Sequence, residues 1–239
     1  MSAPTGLHTL RSRFSADDLV EIGIDEAGRG SFWGPIVAGA VLLPSEDSWT
    51  EEQRILFGQL RDSKKLSPKK RAILALGIKQ HTICATGIVS AEDINREGIS
   101  WANREAFRRA ALLVMDKAAT DSHGVRLLVD GVLSLDQWMG EQHLIVEGDD
   151  KYIAIAAASI LAKVTHDEWI HAYCEVNKEC AERYDLERSN GYGTARHRAG
   201  IQHYGGHELH RVIYIQKWLP TSNGTANRVK ERGNCLIRF

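Results

Sequence analysis

The sequence predicts an α/β fold, a mixed central β-sheet flanked by helices, on three observations. Short runs rich in Val, Ile and Leu alternate with longer stretches of helical spacing, the pattern of sheet layered with helices. The first two runs, residues 19–25 and 36–43, follow one another with no helix between them, so they read as hairpin-like neighbours and the sheet as mixed rather than all parallel. Finally, three of the runs stop at acids, at Asp25, Asp130 and Asp149.

The elements follow in order. Residues 1–18 carry no periodicity and read as a flexible leader, 19–219 as one catalytic-size domain, and 220–239, with Pro, Ser, Asn and Gly, as a loose tail. The strand over 36–43 is stopped by Pro44. Residues 51–61 read as helical. Ser67 followed by Pro68 is a helix start, with the cap and the first-position proline both in place. Residues 81–90 form a strand. Ser100 is read as the cap of a helix over 100–119, where Ala106, Phe107, Ala110, Leu113 and Val114 recur at helical spacing. Short strands follow over 125–131 and 143–150, the second ending in Asp149-Asp150, and then one long helix from Ala154 to about Tyr184. The remainder, through His210-Arg211, is punctuated by glycines and basic.

Totals narrow the function classes. A chain of 239 residues with 43% hydrophobic residues can build a substantial core. The formal charge of −1 gives no global attraction to a polyanion, so nucleic-acid binding has to come from a local patch. The four cysteines, at 84, 174, 180 and 235, form no C-x-x-C pair and read as reduced thiols, Cys84 as buried filler. The start of the chain has no apolar run of the signal-peptide kind, and 35–44 is too short to span a bilayer, so the expectation is a soluble, cytoplasmic protein with no membrane partner.

The strand-end acids carry the chemistry. Parity puts Asp25 on the sheet face opposite Ile22 and Ile24, and Glu26 opens the turn beyond it. If the three strands are neighbours, Asp25, Glu26, Asp130 and Asp149 converge at one edge. Clustered carboxylates repel one another and need cations. Oxygen donors of this kind suit hard ions such as Mg²⁺ or Mn²⁺, and a pair of ions sharing an acid is the arrangement used to hydrolyse phosphodiesters. The bland alternative is a set of solvated loop acids. It weakens with each further strand that ends the same way, because strand ends mark sites in α/β folds.

Gly28-Arg29-Gly30 follows the first pair. Glycines let backbone N–H groups approach a ligand, and an arginine between them can pair with phosphate, although a plain turn would read the same. Placed beside the acids, the turn can also sense a ribose 2′-hydroxyl. Basic residues gather at Arg61, Lys64, Lys65, Lys69, Lys70 and Arg71, with Arg196 and Arg198 further on; a solvated helix face is the competing reading. Tyr192 between glycines is either a stacking platform for a sugar or base, or a turn tyrosine folded onto the core. His203, His207 and His210 have helical spacing, but Gly205-Gly206 interrupts the helix a zinc site would need.

Taken together, "GIDEAGRGSFWGPIVAGAV", "RDSKKLSPKKR", "LLVDG", "GDDKYIAIAAASILAKVTHD" and "NGYGT…HR" resemble ribonuclease HII in order and spacing, over most of residues 20–211. The resemblance implies a ribonuclease H-like fold and an endonuclease that cuts RNA in RNA–DNA hybrids and at single ribonucleotides in duplex DNA. It implies two divalent ions, Mg²⁺ or Mn²⁺, and cleavage on the 5′ side of the ribonucleotide to leave 3′-hydroxyl and 5′-phosphate ends. Asp25, Glu26, Asp130 and Asp149 match the family's catalytic, metal-binding acids; Asp150 is an extra acid, ranked below Asp149 by its distance from Ser159. Gly28, Arg29 and Gly30 match the turn that senses the 2′-hydroxyl, Tyr192 the tyrosine that packs on the adjoining sugar, and Lys64 and Lys163 basic positions near the phosphates. The sequence departs from the common pattern at Ser31 and Trp33, and after Arg211, where Val212-Ile213-Tyr214 replaces a frequent Ser-Phe. The expected assembly is a monomer. A sliding clamp is an option that no recruitment peptide in the tail supports. The competing functions are another metal nuclease of this fold, such as a junction resolvase or exonuclease, and a binder that has lost catalysis.

Overall fold

The computed structural model describes residues 10–220. Strand β1 (Val20–Ala27) and strand β2 (Ile36–Leu42) are followed by helices α1 (Glu51–Phe57) and α2 (Pro68–His81), strand β3 (Ile83–Val89), and helices α3 (Ala91–Glu97) and α4 (Ile99–Ala118). Strands β4 (Val125–Asp130) and β5 (Glu141–Ile145) precede the long α5 (Ile153–Val176), and α6 (Lys178–Arg183), α7 (Leu186–Ser189), α8 (Ala195–Tyr204) and α9 (Val212–Ile215) complete the order. The five strands form one sheet in the order β3-β2-β1-β4-β5. The pairs β1/β2 and β2/β3 are antiparallel, while β1/β4 and β4/β5 are parallel, so the sheet is mixed as expected.

Parity decides which layer each residue enters. Ile22, Ile24, Leu127 and Val129 pack with Phe107 and Val114 of α4 on one face. Val41 packs with α1, α2 and α5 on the other. Asp25, two residues from Gly23, falls on the α5 face. Gly23 and Gly39 let α5 approach the sheet backbone directly: a Cβ built on Gly23 would stand 2.4 Å from the carbonyl carbon of Ala154, and one on Gly39 2.3 Å from the carbonyl oxygen of Ala158. This is why the facing turn of α5 reads Ala156-Ala157-Ala158. A third cluster, built around fully buried Trp33 with Ile170, Tyr184 and Ile201, seats the C-terminal helices against the loop after β1.

Several boundaries differ from expectation for local reasons. Helix α4 starts at Ile99 after Gly98, not at a Ser100 cap; Gly98 has φ +88° and joins α4 to α3, whose own cap is Ser90. Helix α1 stops at Phe57, short of residue 61. Strand β5 ends at Ile145, and Glu147, with φ +54°, turns the chain into a short 3₁₀ turn, so Asp149 sits on that turn and not at a strand end. The long helix breaks at Asn177, whose side-chain amide donates to the carbonyl of Tyr173. Of the leader expected to be flexible, residues 10–18 are tied to the domain. Arg11 N–H donates to Lys151 O (2.8 Å), Phe14 N–H to Glu21 (2.8 Å), and Asp17 accepts from Arg126 (2.6 Å). Residues 1–9 and, except for Pro220, the expected tail lie outside the described residues.

Candidate active site

The parallel register Ile24↔Val129 carries β1 and β4 to the same rim, where Asp25 and Asp130 follow in adjacent strands. Asp130 accepts the N–H of Gly148 (2.7 Å), which draws the 3₁₀ turn and Asp149 to the same place. Glu26, one residue beyond Asp25, is on the α4 face. Fully buried Asn103 of α4 stands beside it, and the Asn103 amide makes no hydrogen bond of ordinary geometry. Arg29 Nη1 approaches Glu26 at 4.0 Å. The acids therefore meet at the rim from both layers of the sheet.

Burial dominates their electrostatics, and neighbouring charges modify it. Burial, with the charges of Asp130 and Glu26 beside it, holds the Asp25 carboxyl well above the ordinary range. Burial also raises Glu26 and Asp130. Asp149 is pushed up to about 6, by burial and then by the charge of Asp130. Lys64 faces this group: the charges of Asp62, Asp149, Asp25 and Asp130 raise it against the effect of its own burial. Asp62 belongs to the rim too and was not singled out from sequence; its position in "DSKKL", where it caps the Lys64 N–H at 2.8 Å, was the available signal. Asp150 is turned away and pairs with Lys65 (2.7 Å), which accounts for its being the extra acid.

An all-carboxylate rim with an unpaired buried amide fits hard divalent ions in kind. Among the described residues, however, no three His, Cys, Asp or Glu side chains form a ready ion shell. The oxygens have other partners here: Asp25 accepts from the N–H of Glu26 (2.6 Å), and the Ser159 hydroxyl stands beside it, donating to Ser63 (2.9 Å). Among the described residues the three spaced histidines do not form a metal-holding group either. His207 stacks on Trp33, and His210 shares a hydrogen bond with His197 (3.0 Å).

Gly28, Arg29 and Gly30 form a turn closed by Ser31 N–H donating to Gly28 O (3.1 Å). Gly28 has φ +82°, and a Cβ there would meet the buried ring of His166 at 2.4 Å, so the position requires glycine. The turn leans on the Asn190–Gly193 segment, with Phe32 N–H donating to Gly191 O (2.9 Å). Tyr192 is half-buried beside it. Lys163 stands over the Tyr192 ring at 5.1 Å while pairing with Asp167 (2.8 Å), so Lys163 belongs to this platform and not to the acids. Of the basic patch, Arg71 is buried and donates to Ser63 O and Leu66 O, a structural role, whereas Lys64 and Lys69 are exposed. Sequence reasoning noted Arg211 only as part of a motif. Its guanidinium, fully buried, donates to the carbonyls of Gly28 (2.5 Å), Arg29 (3.0 Å), Gly34 (3.0 Å) and Pro35 (2.7 Å). A slot of about 690 Å³ runs along β3 between α4 and α5, but none of the acids lines it.

The family model described as ribonuclease HII matches residues 22–217. The chain belongs to the ribonuclease HII family. A ribonuclease HII from Prochlorococcus marinus is 43% identical over 196 residues, covering 82% of this chain and 95% of that one. One from Fusobacterium nucleatum is 39% identical over 201 residues, covering 84% and 87%. Among solved structures, the PCNA:RNase HII complex from Archaeoglobus fulgidus aligns with TM-score 0.62 at 23% identity, covering 82% of this chain and 94% of that one. Bst-RNase HIII in complex with Mn²⁺ aligns with TM-score 0.65 at 19% identity, covering 90% and 73%. These structures share the ribonuclease H-like fold. As a ribonuclease HII family member the chain is a metal-dependent ribonuclease of the ribonuclease H type, acting on RNA–DNA substrates. No helix among the described residues is long and apolar enough to cross a membrane.

Ion binding has a thermal signature. The folded chain keeps the Asp149 proton up to about pH 6, against 3.8 as the ordinary value, so ion-free stability falls as pH rises through that window. At neutral pH a divalent ion bound at the rim would offset the repulsion. Mg²⁺ at about a hundred times its Kd should add about 2.7 kcal/mol and raise the unfolding midpoint by roughly 5–10 °C for a domain of this size. Scanning calorimetry with and without Mg²⁺ checks this; an unchanged midpoint counts against ion binding at the rim.

Proposed function

We propose that the chain is an endonuclease that hydrolyses RNA in RNA–DNA hybrids and incises on the 5′ side of single ribonucleotides embedded in duplex DNA, leaving 3′-hydroxyl and 5′-phosphate ends. The observation that carries this reading is the meeting of Asp25, Glu26, Asp130 and Asp149 at a rim overlooked by the Gly28–Ser31 turn and Tyr192. The four acids would hold a pair of Mg²⁺ or Mn²⁺ ions, which when bound supply Lewis acidity at the phosphate and a more acidic water.

The chain's own groups do the rest. Lys64, exposed and facing the acids, offers a cation to the scissile phosphate. Arg29, 47% exposed and only loosely paired with Glu26, can exchange that acid for a backbone phosphate. Tyr192, braced by Lys163, presents a ring to the adjoining sugar. The turn amides address the ribose itself.

A labelled duplex carrying one ribonucleotide, incubated with and without Mg²⁺ or Mn²⁺, tests the proposal. One ion-dependent cut 5′ of the ribonucleotide, and none in the all-DNA duplex, is expected. Cutting of all-DNA duplex would favour a nuclease of different specificity, and binding without cutting a non-catalytic role. On this reading the enzyme acts as a monomer in the cytoplasm. For a clamp partner there is only the fold neighbour described with PCNA; the tail, in which the sequence shows no recruitment peptide, lies beyond Pro220 outside the described residues.

A further inference from the structure

We propose that Arg211 and Tyr214 are positioning residues for sugar discrimination: they hold the carbonyls of the Gly28–Ser31 turn inward, so that the N–H groups of Arg29 and Gly30 face the substrate. The inference rests on the reading of that turn as the ribose-facing element.

The argument is one of peptide geometry. The described chain has no cis peptide bonds, and in a trans peptide C=O and N–H point in opposite directions. The Gly28 carbonyl shares its peptide with Arg29 N–H, and the Arg29 carbonyl with Gly30 N–H. Both carbonyls accept from Nη1 of Arg211, at 2.5 Å and 3.0 Å, inside the protein. The two N–H groups are thereby directed outward, on residues that are themselves exposed. Ser31 N–H is excluded from this role, since the turn uses it internally.

Arg211 is suited to the task. It is fully buried, and its hydrogen bonds go to main-chain carbonyls, with Gly34 and Pro35 fixing the other side of the guanidinium. Five donors in a rigid plane over-determine the loop in a way that an ammonium cannot. The Tyr214 hydroxyl donates to the same Arg29 carbonyl at 3.0 Å, and its ring stacks on Phe32 with 5.9 Å between centroids. Tyr214 lies in the stretch that departs from the family resemblance. Neither residue has a place among the acids. Their effect on the substrate passes through the direction of two amides, which a 2′-hydroxyl can accept from and a deoxyribose cannot.

The test measures discrimination apart from turnover. KM is measured for a duplex with one ribonucleotide, and Ki for the all-DNA duplex of the same sequence as competitor. The ratio Ki/KM is compared between wild type, Tyr214→Phe and Arg211→Lys. Tyr214→Phe should lower the ratio about threefold, the scale of one modest hydrogen bond. Arg211→Lys should lower it about tenfold or more, since a buried charged donor set is disrupted. In both, kcat should change less than the ratio. If both variants raise KM and Ki in parallel and keep the ratio within about twofold of wild type, the two residues are merely structural and the inference falls. Should Arg211→Lys fail to fold, Tyr214→Phe, which keeps the ring and its stacking, decides alone. A wild type with no preference for the ribonucleotide removes the functional reading and this inference with it. A wild type that discriminates, alongside variants that do so equally well, removes only the inference.

Discussion

Asp25→Asn is expected to lower cleavage of a ribonucleotide-bearing duplex by about a thousandfold or more, with an unfolding midpoint no lower than wild type in ion-free buffer. Asp25 is 6% exposed and sits against Asp130 and Glu26, so its ionised form is disfavoured unless a cation is present. Asparagine keeps the shape and can still accept the Glu26 N–H, now made at 2.6 Å. What it removes is one negative charge from the place where an ion would be shared. The same variant should lose the Mg²⁺-induced rise in midpoint. Single-turnover cleavage and calorimetry on the one preparation check both halves. Activity within a few-fold of wild type would remove Asp25 from the chemistry, whatever the stability shows.

Gly23→Ala is expected to be a severely damaging small change in the sheet. Its added methyl would lie 2.4 Å from the carbonyl carbon of Ala154, 2.5 Å from the backbone nitrogen of Ile155 and 2.6 Å from the Ala154 Cβ. None of these is the end of a flexible side chain, so helix and strand must separate. Overpacking a rigid core costs about 1–3 kcal/mol, and about 3 kcal/mol or more where backbone is the obstacle; at roughly 2–4 °C per kcal/mol for this size, the midpoint should fall by about 6–12 °C or the protein should not accumulate. Urea unfolding with a two-state fit gives the value. A loss under about 0.5 kcal/mol, the scale of an ordinary surface substitution, would show that α5 has slack against β1.

Much of this site was legible in the sequence because its parts depend on local rules. The parity of β1 placed Asp25 opposite Ile22 and Ile24, and Ser67-Pro68 marked the start of α2, where Ser67 accepts from Lys70 N–H. Reading failed where tertiary contacts override local signals. Ser100 has the chemistry of a cap, yet Gly98 starts α4, because only a residue at φ +88° can join it to α3 so tightly. Residues 143–150 look like a strand throughout, but Glu147 turns left-handed and Asp149 arrives on a 3₁₀ turn. Arg211 could not be assigned a role at all. Its partners are carbonyls 176 to 183 positions earlier in the chain, and carbonyls carry no sequence signal. Trp33, beside the glycine turn, could have been read as a substrate contact; it is instead the centre of the core that seats the C-terminal helices.

Helix α5 bears directly on the turn and the tyrosine: His166 lies under Gly28, Lys163 lies over Tyr192, and Ser159 stands beside Asp25. Its Ala face meets Gly23 and Gly39 backbone to backbone, with no side-chain cushion between them. A rod seated that way cannot roll or slide by a fraction of an ångström without collision. Tuning this enzyme by repacking beneath α5 would therefore displace Tyr192, the glycine turn and Asp25 together, whereas changes confined to the loops that α5 supports can retune one contact and leave the others where they are.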